Sequence, residues 1–370
     1  MVQKIQDWHS LNKAHSLSGR YLPLTSIEPL LKELNFPFQV SNIGTSFNKL
    51  PINKICIGTG EMKVLIWSQM HGNESTGTKA LFDMFNFLKS PNEFSLLRDC
   101  ILNNCTLTFL PLLNPDGALT YTRVNAQNID LNRDAVDMKA PESKVLHNVL
   151  REFKPDYCFN LHDQRTIFTV GKTKKPATIS FLAPSEDESR EVTDGRKETM
   201  NVIVAMNEVM QKLIPGQIGR YTDEFYPTAT GDNFQKAGYN TTLIEAGHFK
   251  DDYDREQVRL YKFLSLLIGI NYLADGNRAL DKHNAYFEIP NNSKKYFDII
   301  CKNIFIKEKD EMCDVGLVFK EILEHKTVVF NPEIKKVGNL AKYAANKVID
   351  CQGAIVNNES ELHFFIKKQL

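Results

Sequence analysis

The sequence predicts an α/β fold in which helices flank a mixed central β-sheet, with a small β-rich domain at the C-terminal end. Two observations carry this prediction. Between residues 54 and 275, short apolar runs alternate with longer amphipathic segments, which is the pattern of strands that alternate with helices. After residue 280 the pattern changes to short strand-like runs that are separated by turn residues.

The strands of the larger domain are predicted where apolar residues form short runs. Several runs are apolar on both faces, as strands buried within a parallel or mixed sheet are. The predicted strands are 64–70, 105–113, 157–161, 179–183 and 241–245. The amphipathic segments between them predict helices at 75–88, 142–153, 188–213 and 255–274. Pro141 followed by Glu142 is a typical helix start.

The two ends of the chain carry different patterns from the main domain, which is predicted at 51–280. Residues 1–50 are predicted to be a lead-in that packs on it, with an amphipathic segment at 26–34. A break at 275–283 precedes the small β-rich domain, 281–370. Its predicted strands are 286–289, 297–306, 316–319, 327–330 and 362–367, with turns at 331–333 and 357–360.

The composition is that of an ordinary soluble protein. The 370 residues carry 45 Lys and Arg against 45 Asp and Glu, so no basic excess favours nucleic acid or an anionic membrane. Seven cysteines without a CxxC pair argue against a disulfide framework. Neither a signal peptide nor an apolar run of about 18 residues is visible. We therefore expect a cytoplasmic protein that contacts no nucleic acid and no membrane, and whether it forms a homo-oligomer stays open.

The segment MHGNESTG, residues 70–77, is the first candidate for chemistry. It follows a predicted strand and opens a helix, and sites in open α/β sheets form beyond the carboxyl ends of strands. His71 and Glu74 are three residues apart, a spacing that can bring an imidazole and a carboxylate to one Zn²⁺. Gly72 is expected to permit a tight turn. An HxxE motif occurs by chance in many chains, so a metal site needs further residues.

A second block, residues 110–134, runs from a buried strand through the turn NPDG to a group of polar residues. Arg123 and Arg133 can each bind a carboxylate through two hydrogen bonds, and Asn132 adds a directed donor. The alternative is a surface loop with solvated charges, which is the usual environment of an arginine. Only the neighbouring motifs weaken that alternative.

Two further predicted strands end in a polar side chain. His162 follows the run at 157–161, and Glu245 ends the run at 241–245. A histidine at a strand end is more often structural than a ligand, whereas a carboxylate there is costly unless it has a partner or a task. Four strand ends that each deliver a polar group are what a single catalytic crevice would produce.

Taken together, these motifs resemble the zinc carboxypeptidase family. The shared order is HxxE, NPDG, Arg, D-x-N-R, His and a strand-end Glu, and the resemblance covers about residues 55–275. It implies that the domain at 51–280 is catalytic and that one Zn²⁺ per chain is held by His71, Glu74 and His162. It also implies a substrate that is a peptide or small amide with a free carboxylate.

The resemblance implies a role for each remaining candidate. Glu245 would be the general base that takes a proton from the zinc-activated water and passes it to the leaving amine. Arg123 would polarise the scissile carbonyl and stabilise the oxyanion. Asn132 and Arg133 would bind the α-carboxylate of the substrate, and Asp130 would fix the tautomer of His71.

Some positions depart from the family pattern. Tyr226 is the candidate for the mobile tyrosine that contacts substrate in the family, and Tyr221 competes with it. Residues 163–165, Asp-Gln-Arg, stand where many digestive relatives have Ser-Tyr, which predicts unusual subsite preferences. Asp232 would either select a basic side chain or cap a helix that begins there, and the cap is favoured.

Three functions compete. The favoured one is a metallocarboxypeptidase that hydrolyses the C-terminal amide bond of a peptide. The second is a zinc-dependent deacylase of N-acyl amino acids, since the succinylglutamate desuccinylase and aspartoacylase branch shares HGNE, a downstream Arg, DLNR and a small β domain. The NPDG turn and the TTLIEAG context favour the peptidase. The third, an inactive ligand-binding relative, is disfavoured because the set of candidate residues is complete.

The small domain would either roof the cleft or mediate dimerisation.

Overall fold

The computed structural model describes residues 2–89, 93–276 and 278–369. Its centre is an eight-stranded sheet with the order β1-β2-β4-β3-β5-β9-β7-β8. Its strands are β1 (Gln39–Thr45), β2 (Pro51–Ile57), β3 (Met62–Ser68), β4 (Cys105–Leu110), β5 (Tyr157–Asp163), β7 (Ile179–Leu182), β8 (Ile218–Arg220) and β9 (Asn240–Ala246). Strands β4, β3, β5 and β9 run parallel, and antiparallel pairs join β2 to β4 and β7 to β9. The short strands β6 (Thr169–Val170) and β10 (Asn292–Ser293) form a separate antiparallel pair.

Helices cover both faces of this sheet. They are α1 (Val2–Asn12), α2 (Leu24–Glu33), α3 (Thr76–Lys89), α4 (Ser95–Asn104), α5 (Pro115–Thr120), α6 (Pro141–Phe153), α7 (Asp194–Leu213), α8 (Thr230–Lys236) and α9 (Glu256–Ala274). Short 3₁₀ helices span Leu131–Arg133, His283–Glu288 and Lys307–Lys309. Alternate residues of β5 enter different cores, because Phe159 packs with α3, α7 and α9, and Cys158 packs with α6. The mixed α/β fold predicted from the sequence is therefore confirmed.

The N-terminal residues contribute to the main sheet. Strand β1 pairs with β2, and β2 pairs with β4, so the sheet begins before residue 51, where the predicted main domain starts. Helix α1 packs on the same side as α3 and α9, where the ring of Trp8 meets Phe87 edge-on at 5.2 Å and stacks on Phe263 at 6.3 Å. The helix predicted from residue 188 begins at Asp194, because the Thr193 hydroxyl caps it by accepting the Arg196 N–H.

A second sheet follows at the C-terminal end and confirms the β-rich part of the prediction. Its order is β13-β12-β11-β14, with β11 (Tyr296–Ile306), β12 (Glu311–Glu324), β13 (Thr327–Gly338) and β14 (Ala344–Val356). Helix α10 (Glu359–Gln369) covers one face of this sheet, which has its own apolar core.

Three predictions for this part were wrong. Residues 286–289 lie in and after the 3₁₀ helix His283–Glu288, because Tyr286 turns inward and its hydroxyl accepts the Ala183 N–H. The predicted turn at 331–333 lies inside β13, the outermost strand, where Pro332 can leave its missing N–H unpaired. The predicted strand 362–367 belongs to α10, because Leu362 and Ile366 are four residues apart and are buried on one helix face.

Within the described residues, no helix has the length and apolarity that a membrane crossing requires. All seven cysteines are described, and each carries a free thiol.

Candidate active site

The four central strands bring their carboxyl ends to one edge of the sheet. Because β4, β3, β5 and β9 are parallel, the segments after Leu110, Ser68, Asp163 and Ala246 meet there. Residues from these segments line a cleft of about 730 Å³. The cleft contains eight of the nine predicted site residues: His71, Glu74, Arg123, Asn132, Arg133, His162, Tyr226 and Glu245. The ninth, Asp130, lies directly behind His71.

His71, Glu74 and His162 form a buried triad of metal-ligand type. The Nδ1 atom of His71 is 2.8 Å from Glu74 Oε1, His162 Nδ1 is 2.9 Å from Glu74 Oε2, and the two Nδ1 atoms are 3.1 Å apart. Two imidazole nitrogens and a carboxylate at these separations need a shared proton or a cation between them. The donor set fits Zn²⁺, since two histidines and one glutamate form a catalytic ligand set that leaves a further position open.

The environment sets the protonation of the triad. Burial lowers the pKa of His162 to about 4, which leaves its imidazole neutral at neutral pH. Burial also opposes the ionisation of Glu74, but the two histidines outweigh it and hold the Glu74 pKa well below its usual value. A neutral imidazole and an ionised carboxylate are the forms that bind a metal. The other ring nitrogen of His162 has no partner among the described residues, so contacts on its Nδ1 side orient this ring.

Asp130 holds the opposite side of the His71 ring. Its Oδ1 atom lies 2.9 Å from His71 Nε2, which places the ring proton on Nε2 and leaves the Nδ1 lone pair facing the triad. The same oxygen accepts the Asn132 N–H at the start of the 3₁₀ helix Leu131–Arg133, and Oδ2 accepts from Arg123 Nε at 3.0 Å. These contacts agree with the predicted role of Asp130 in fixing the tautomer of His71.

Arg123 connects Asp130 to the triad. Its Nη1 atom lies 3.2 Å from His71 Nδ1 and 3.3 Å from Glu74 Oε1, while 47% of its side chain is exposed to the cleft. The guanidinium group therefore places a half-exposed positive charge directly beside the triad.

Glu245 faces His162 across the β5–β9 pair, in which these two residues are register partners. Its Oε2 atom is buried and has no hydrogen-bond partner among the described residues. Burial, together with the nearby Glu74 carboxylate, raises the Glu245 pKa to about 8. A carboxyl group with one unpaired oxygen and a raised pKa has the properties of a general acid–base residue.

A buried ionic pair that the sequence did not predict lies behind the triad. The Lys262 ammonium group donates to the His162 carbonyl at 2.5 Å and lies 3.2 Å from Asp163 Oδ1. Asp163 also accepts from the N–H and hydroxyl of Thr76 at the start of α3. These bonds hold the end of β5 against the segment that carries Glu74. The available signal was Lys262 itself, because it interrupts the otherwise apolar middle of α9.

The predicted substrate-binding residues lie at the mouth of the cleft. Asn132 accepts the Thr230 N–H through Oδ1, and the Arg133 guanidinium lies 5.3 Å from the centre of the Tyr226 ring. Tyr226 is half-exposed, whereas Tyr221 is partly buried and donates to Gln164 Oε1 at 2.8 Å. Tyr226 is therefore freer to move, and its role, like those of Asn132 and Arg133, stays a prediction.

Two residues have a structural role other than the one predicted. Asp232 does not cap α8, since Ala229 is the N-cap residue and Asp232 lies in the first turn, where it accepts the Tyr226 N–H at 3.0 Å. Gly72 is required by packing, because a Cβ atom there would lie 1.9 Å from the carbonyl carbon of Gly117 in the NPDG segment. This close approach brings the His71 turn against the start of α5, where Asn114 caps the helix.

The C-terminal sheet forms one wall of the cleft through the segment 318–321 of β12. Glu321 accepts two hydrogen bonds from the Arg20 guanidinium, at 2.9 and 3.0 Å, and a third from the Tyr121 hydroxyl. Arg20 is buried, so this contact ties the N-terminal segment, the main sheet and the C-terminal sheet together.

Comparisons with known proteins agree with this site. Residues 30–167 match the family model described as zinc carboxypeptidase. Carboxypeptidase SOL1 from Arabidopsis thaliana is 31% identical over 167 residues, which cover 40% of this chain and 34% of that protein. Probable carboxypeptidase 2 from Arthroderma benhamiae is 23% identical over 160 residues, which cover 43% of this chain and 28% of that protein. The chain thus matches only about a third of the length of these relatives.

Solved structures share the fold at low sequence identity. Carboxypeptidase A from Helicoverpa armigera superposes with a TM-score of 0.54 at 17% identity, covering 75% of this chain and 82% of that one. Thrombin activatable fibrinolysis inhibitor superposes with a TM-score of 0.55 at 14% identity, covering 74% and 81%. Together, these findings show that residues 30–167 resemble zinc carboxypeptidases and that the chain has a fold similar to that of carboxypeptidases, with a His-Glu-His group that could hold a metal ion.

Proposed function

We propose that the protein is a metallocarboxypeptidase that hydrolyses the C-terminal amide bond of a peptide. The observation that carries this proposal is the convergence of the His71–Glu74–His162 triad, the unpaired carboxyl oxygen of Glu245 and three cleft-facing polar residues in one cavity. A zinc ion held by the triad would supply Lewis-acid activation of the attacking water.

The chain's own residues would perform the remaining steps. Glu245 would accept a proton from the attacking water at its unpaired oxygen and return it to the leaving amine, so that one water is consumed for each amide bond broken. A divalent cation beside Glu245 would lower its pKa, so the carboxylate form would be present near neutral pH. Arg123 would stabilise the negative charge that develops on the carbonyl oxygen. Arg133 and Asn132, at the cleft mouth, would bind the substrate carboxylate and so restrict cleavage to the last residue.

The purified, zinc-loaded protein is tested for release of a free amino acid from two panels of substrates. One panel contains blocked dipeptides of the form benzoyl-Gly-X, and the other contains N-acetyl amino acids. We expect release from the dipeptides, and the variant Glu245→Gln is expected to lose it while still binding zinc. Release from the acetyl amino acids alone would move the protein to the deacylase function. No release from either panel by zinc-loaded protein would favour an inactive ligand-binding relative.

We also propose that residues 281–370 form a separate domain that limits the length of the substrate. Support comes from the β12 wall, where Phe319 and Lys320 line the cleft next to the Arg20–Glu321 contact. We expect kcat/KM to fall when the benzoyl-glycyl dipeptide is extended by several residues at its N-terminal side, and Phe319→Ala to reduce that fall. Equal rates for short and long peptides would contradict this role.

The cytoplasmic location, favoured by seven free thiols, likewise stays a proposal.

A further inference from the structure

The carboxylate of Glu321 joins the C-terminal sheet to two segments of the main domain. Glu321 lies on β12, is partly buried and lines the cleft. It accepts hydrogen bonds from the Arg20 guanidinium and from the Tyr121 hydroxyl, and both donors are buried. Hydrogen bonds to a charged acceptor are stronger than those between neutral groups. The C-terminal sheet is therefore firmly connected to the chain around residues 20 and 121.

Tyr121 stands at the point where the chain leaves α5 and turns towards Arg123. It is the C-cap residue of α5, with a φ of 55° in the left-handed region. A bulky side chain adopts this conformation only where its surroundings hold it there. The hydroxyl bond to Glu321 and the burial of the ring are contacts that do so. The next amide, that of Thr122, donates to the Gly117 carbonyl at 2.8 Å and completes the turn.

The position of Arg123 depends on this turn. Arg123 follows Tyr121 by two residues, and 47% of its side chain is exposed. Its ion pairs with Asp130, at 3.0 Å, and with Glu74, at 3.3 Å, are therefore partly solvated, and such pairs contribute little to holding a side chain in place. The backbone must supply the rest of the constraint, and the backbone before Arg123 is held at Tyr121.

The Arg20 branch leads to the metal-ligand turn instead. The Ser75 hydroxyl donates to the Arg20 carbonyl at 2.7 Å, and Ser75 directly follows Glu74. Because this bond uses the main chain of residue 20, it does not involve the Tyr121 hydroxyl. Removing that hydroxyl should therefore disturb the Arg123 turn and leave the metal-ligand triad in place.

We propose that Glu321 and Tyr121 are positioning residues through which the C-terminal sheet holds Arg123 in place for catalysis. This inference rests on the proposed function, because it takes Arg123 to stabilise the negative charge on the carbonyl oxygen. Neither positioning residue takes part in the bond-breaking step. The C-terminal sheet thus contributes to the rate of the reaction, in addition to forming one wall of the cleft.

The first test compares Tyr121→Phe with the unmodified protein, both zinc-loaded, on the benzoyl-Gly-X peptide that is hydrolysed fastest. We expect kcat to fall at least tenfold while KM changes less than threefold, because the charge that Arg123 stabilises appears only in the transition state. Tyr21→Phe is the matched control, since the Tyr21 hydroxyl donates to the Leu119 carbonyl of the same helix. Its kcat should change less than twofold. An equal loss in both variants, or no loss in Tyr121→Phe, would overturn the inference.

A double-mutant cycle shows whether Tyr121 acts through Arg123. Tyr121→Phe is introduced into the unmodified protein and into Arg123→Ala, and the residual kcat is measured in each. We expect a loss of at least tenfold when Arg123 is present and of less than twofold when it is absent. A general structural role of Tyr121 would lower kcat by the same factor in both backgrounds, and that result would overturn the inference.

Hydrogen exchange of the metal-free protein tests the positioning without any measurement of activity. The Thr122 amide should exchange roughly 10- to 100-fold faster in Tyr121→Phe and in Glu321→Gln, because each change weakens a hydrogen bond to a charged group. Exchange of the α7 amides should stay unchanged, and so should that of Thr122 in Tyr21→Phe. Unchanged Thr122 exchange in Tyr121→Phe, or an equal rise throughout α7, would overturn the inference.

The two measurements together separate failure of the positioning from failure of the function. If the unmodified, zinc-loaded protein hydrolyses no peptide but Thr122 exchange rises as expected, the proposed hydrolysis fails and the hold on the Arg123 turn stands. If peptides are hydrolysed and Thr122 exchange does not change, the hydrolysis stands and the positioning role is refuted.

Discussion

Replacing Asp130 with asparagine tests how the metal-ligand triad is held in place. The carboxylate lies 2.9 Å from His71 Nε2, and 23% of its side chain is exposed. The burial that opposes its ionisation is outweighed by the hydrogen bond from His71 and by the charges of His71 and Arg123, which hold its pKa far below the usual range. The substituted amide would keep an oxygen for the N–H of residue 132 but would lose the negative charge that favours His71 with its proton on Nε2.

The expected magnitude follows from the contact that is weakened. Loss of a group that accepts a hydrogen bond from a metal-ligating histidine typically weakens metal binding about 10- to 100-fold. This range corresponds to about 1.4–2.7 kcal/mol. A hydrogen bond to a charged group contributes about 1.5–3 kcal/mol, so the two estimates agree. We therefore expect Asp130→Asn to weaken zinc binding by at least tenfold.

The assay is competition for zinc with a chromophoric chelator at pH 7, with urea unfolding of each metal-free variant to confirm that it is folded. Asp137→Asn is the matched control, because Asp137 is exposed and pairs with Lys139 at the surface. Zinc affinity of Asp130→Asn within threefold of the unmodified protein would refute the argument that the Asp130 carboxylate prepares His71 for the metal.

Three further predictions concern stability. Gly72→Ala would force a Cβ atom against the Gly117 backbone and should lower the free energy of unfolding in urea by about 1–3 kcal/mol or more. Glu321→Ala would leave the buried Arg20 guanidinium without its carboxylate and should cost about 3–5 kcal/mol in the same measurement. In the folded, metal-free protein, burial and the Glu74 charge raise the pKa of Glu245 from the usual 4.5 to about 8. The folded state therefore keeps a proton that the unfolded state releases. Stability in the presence of a chelator should therefore fall as the pH rises from about 4.5 to 8, and Glu245→Gln should reduce that fall.

Each of these predictions has a control. Gly276→Ala places its Cβ in open space and should have little effect, and an equal loss in both glycine variants would contradict the packing argument. Glu333→Ala removes an exposed pair with Lys335 and should cost less than about 1 kcal/mol. If Glu321→Ala costs no more than that, the Arg20 contact does not stabilise the fold. If the free energy of unfolding depends on pH in the same way in Glu245→Gln and in the unmodified protein, the carboxyl group of Glu245 is not held protonated in the metal-free protein.

The periodicity of the central domain was sufficient to predict its architecture, because its strands are short apolar runs and its helices are long amphipathic ones. Strand β5 illustrates the reason, since its alternate residues enter cores on opposite faces, and only a strand covered by helices on both sides carries apolar residues on both faces. The secondary structure of the C-terminal region was harder to predict. Residues 362–367 have strand-like composition, and only their packing on the second sheet, with Leu362 and Ile366 on one face, shows a helix.

The sequence by itself determined which residues meet at the sheet edge. His71, His162 and Glu245 each lie at or just beyond the end of an apolar run, and parallel strands necessarily end on the same edge. The tertiary structure alone decided what surrounds them. Arg20 and Glu321 are 301 residues apart, and nothing in local periodicity relates them. Asn160 looks from sequence like any polar residue in a strand, and its burial depends on how the elements around β5 pack. Contacts between distant segments depend on how whole elements pack, which no local pattern of residues records.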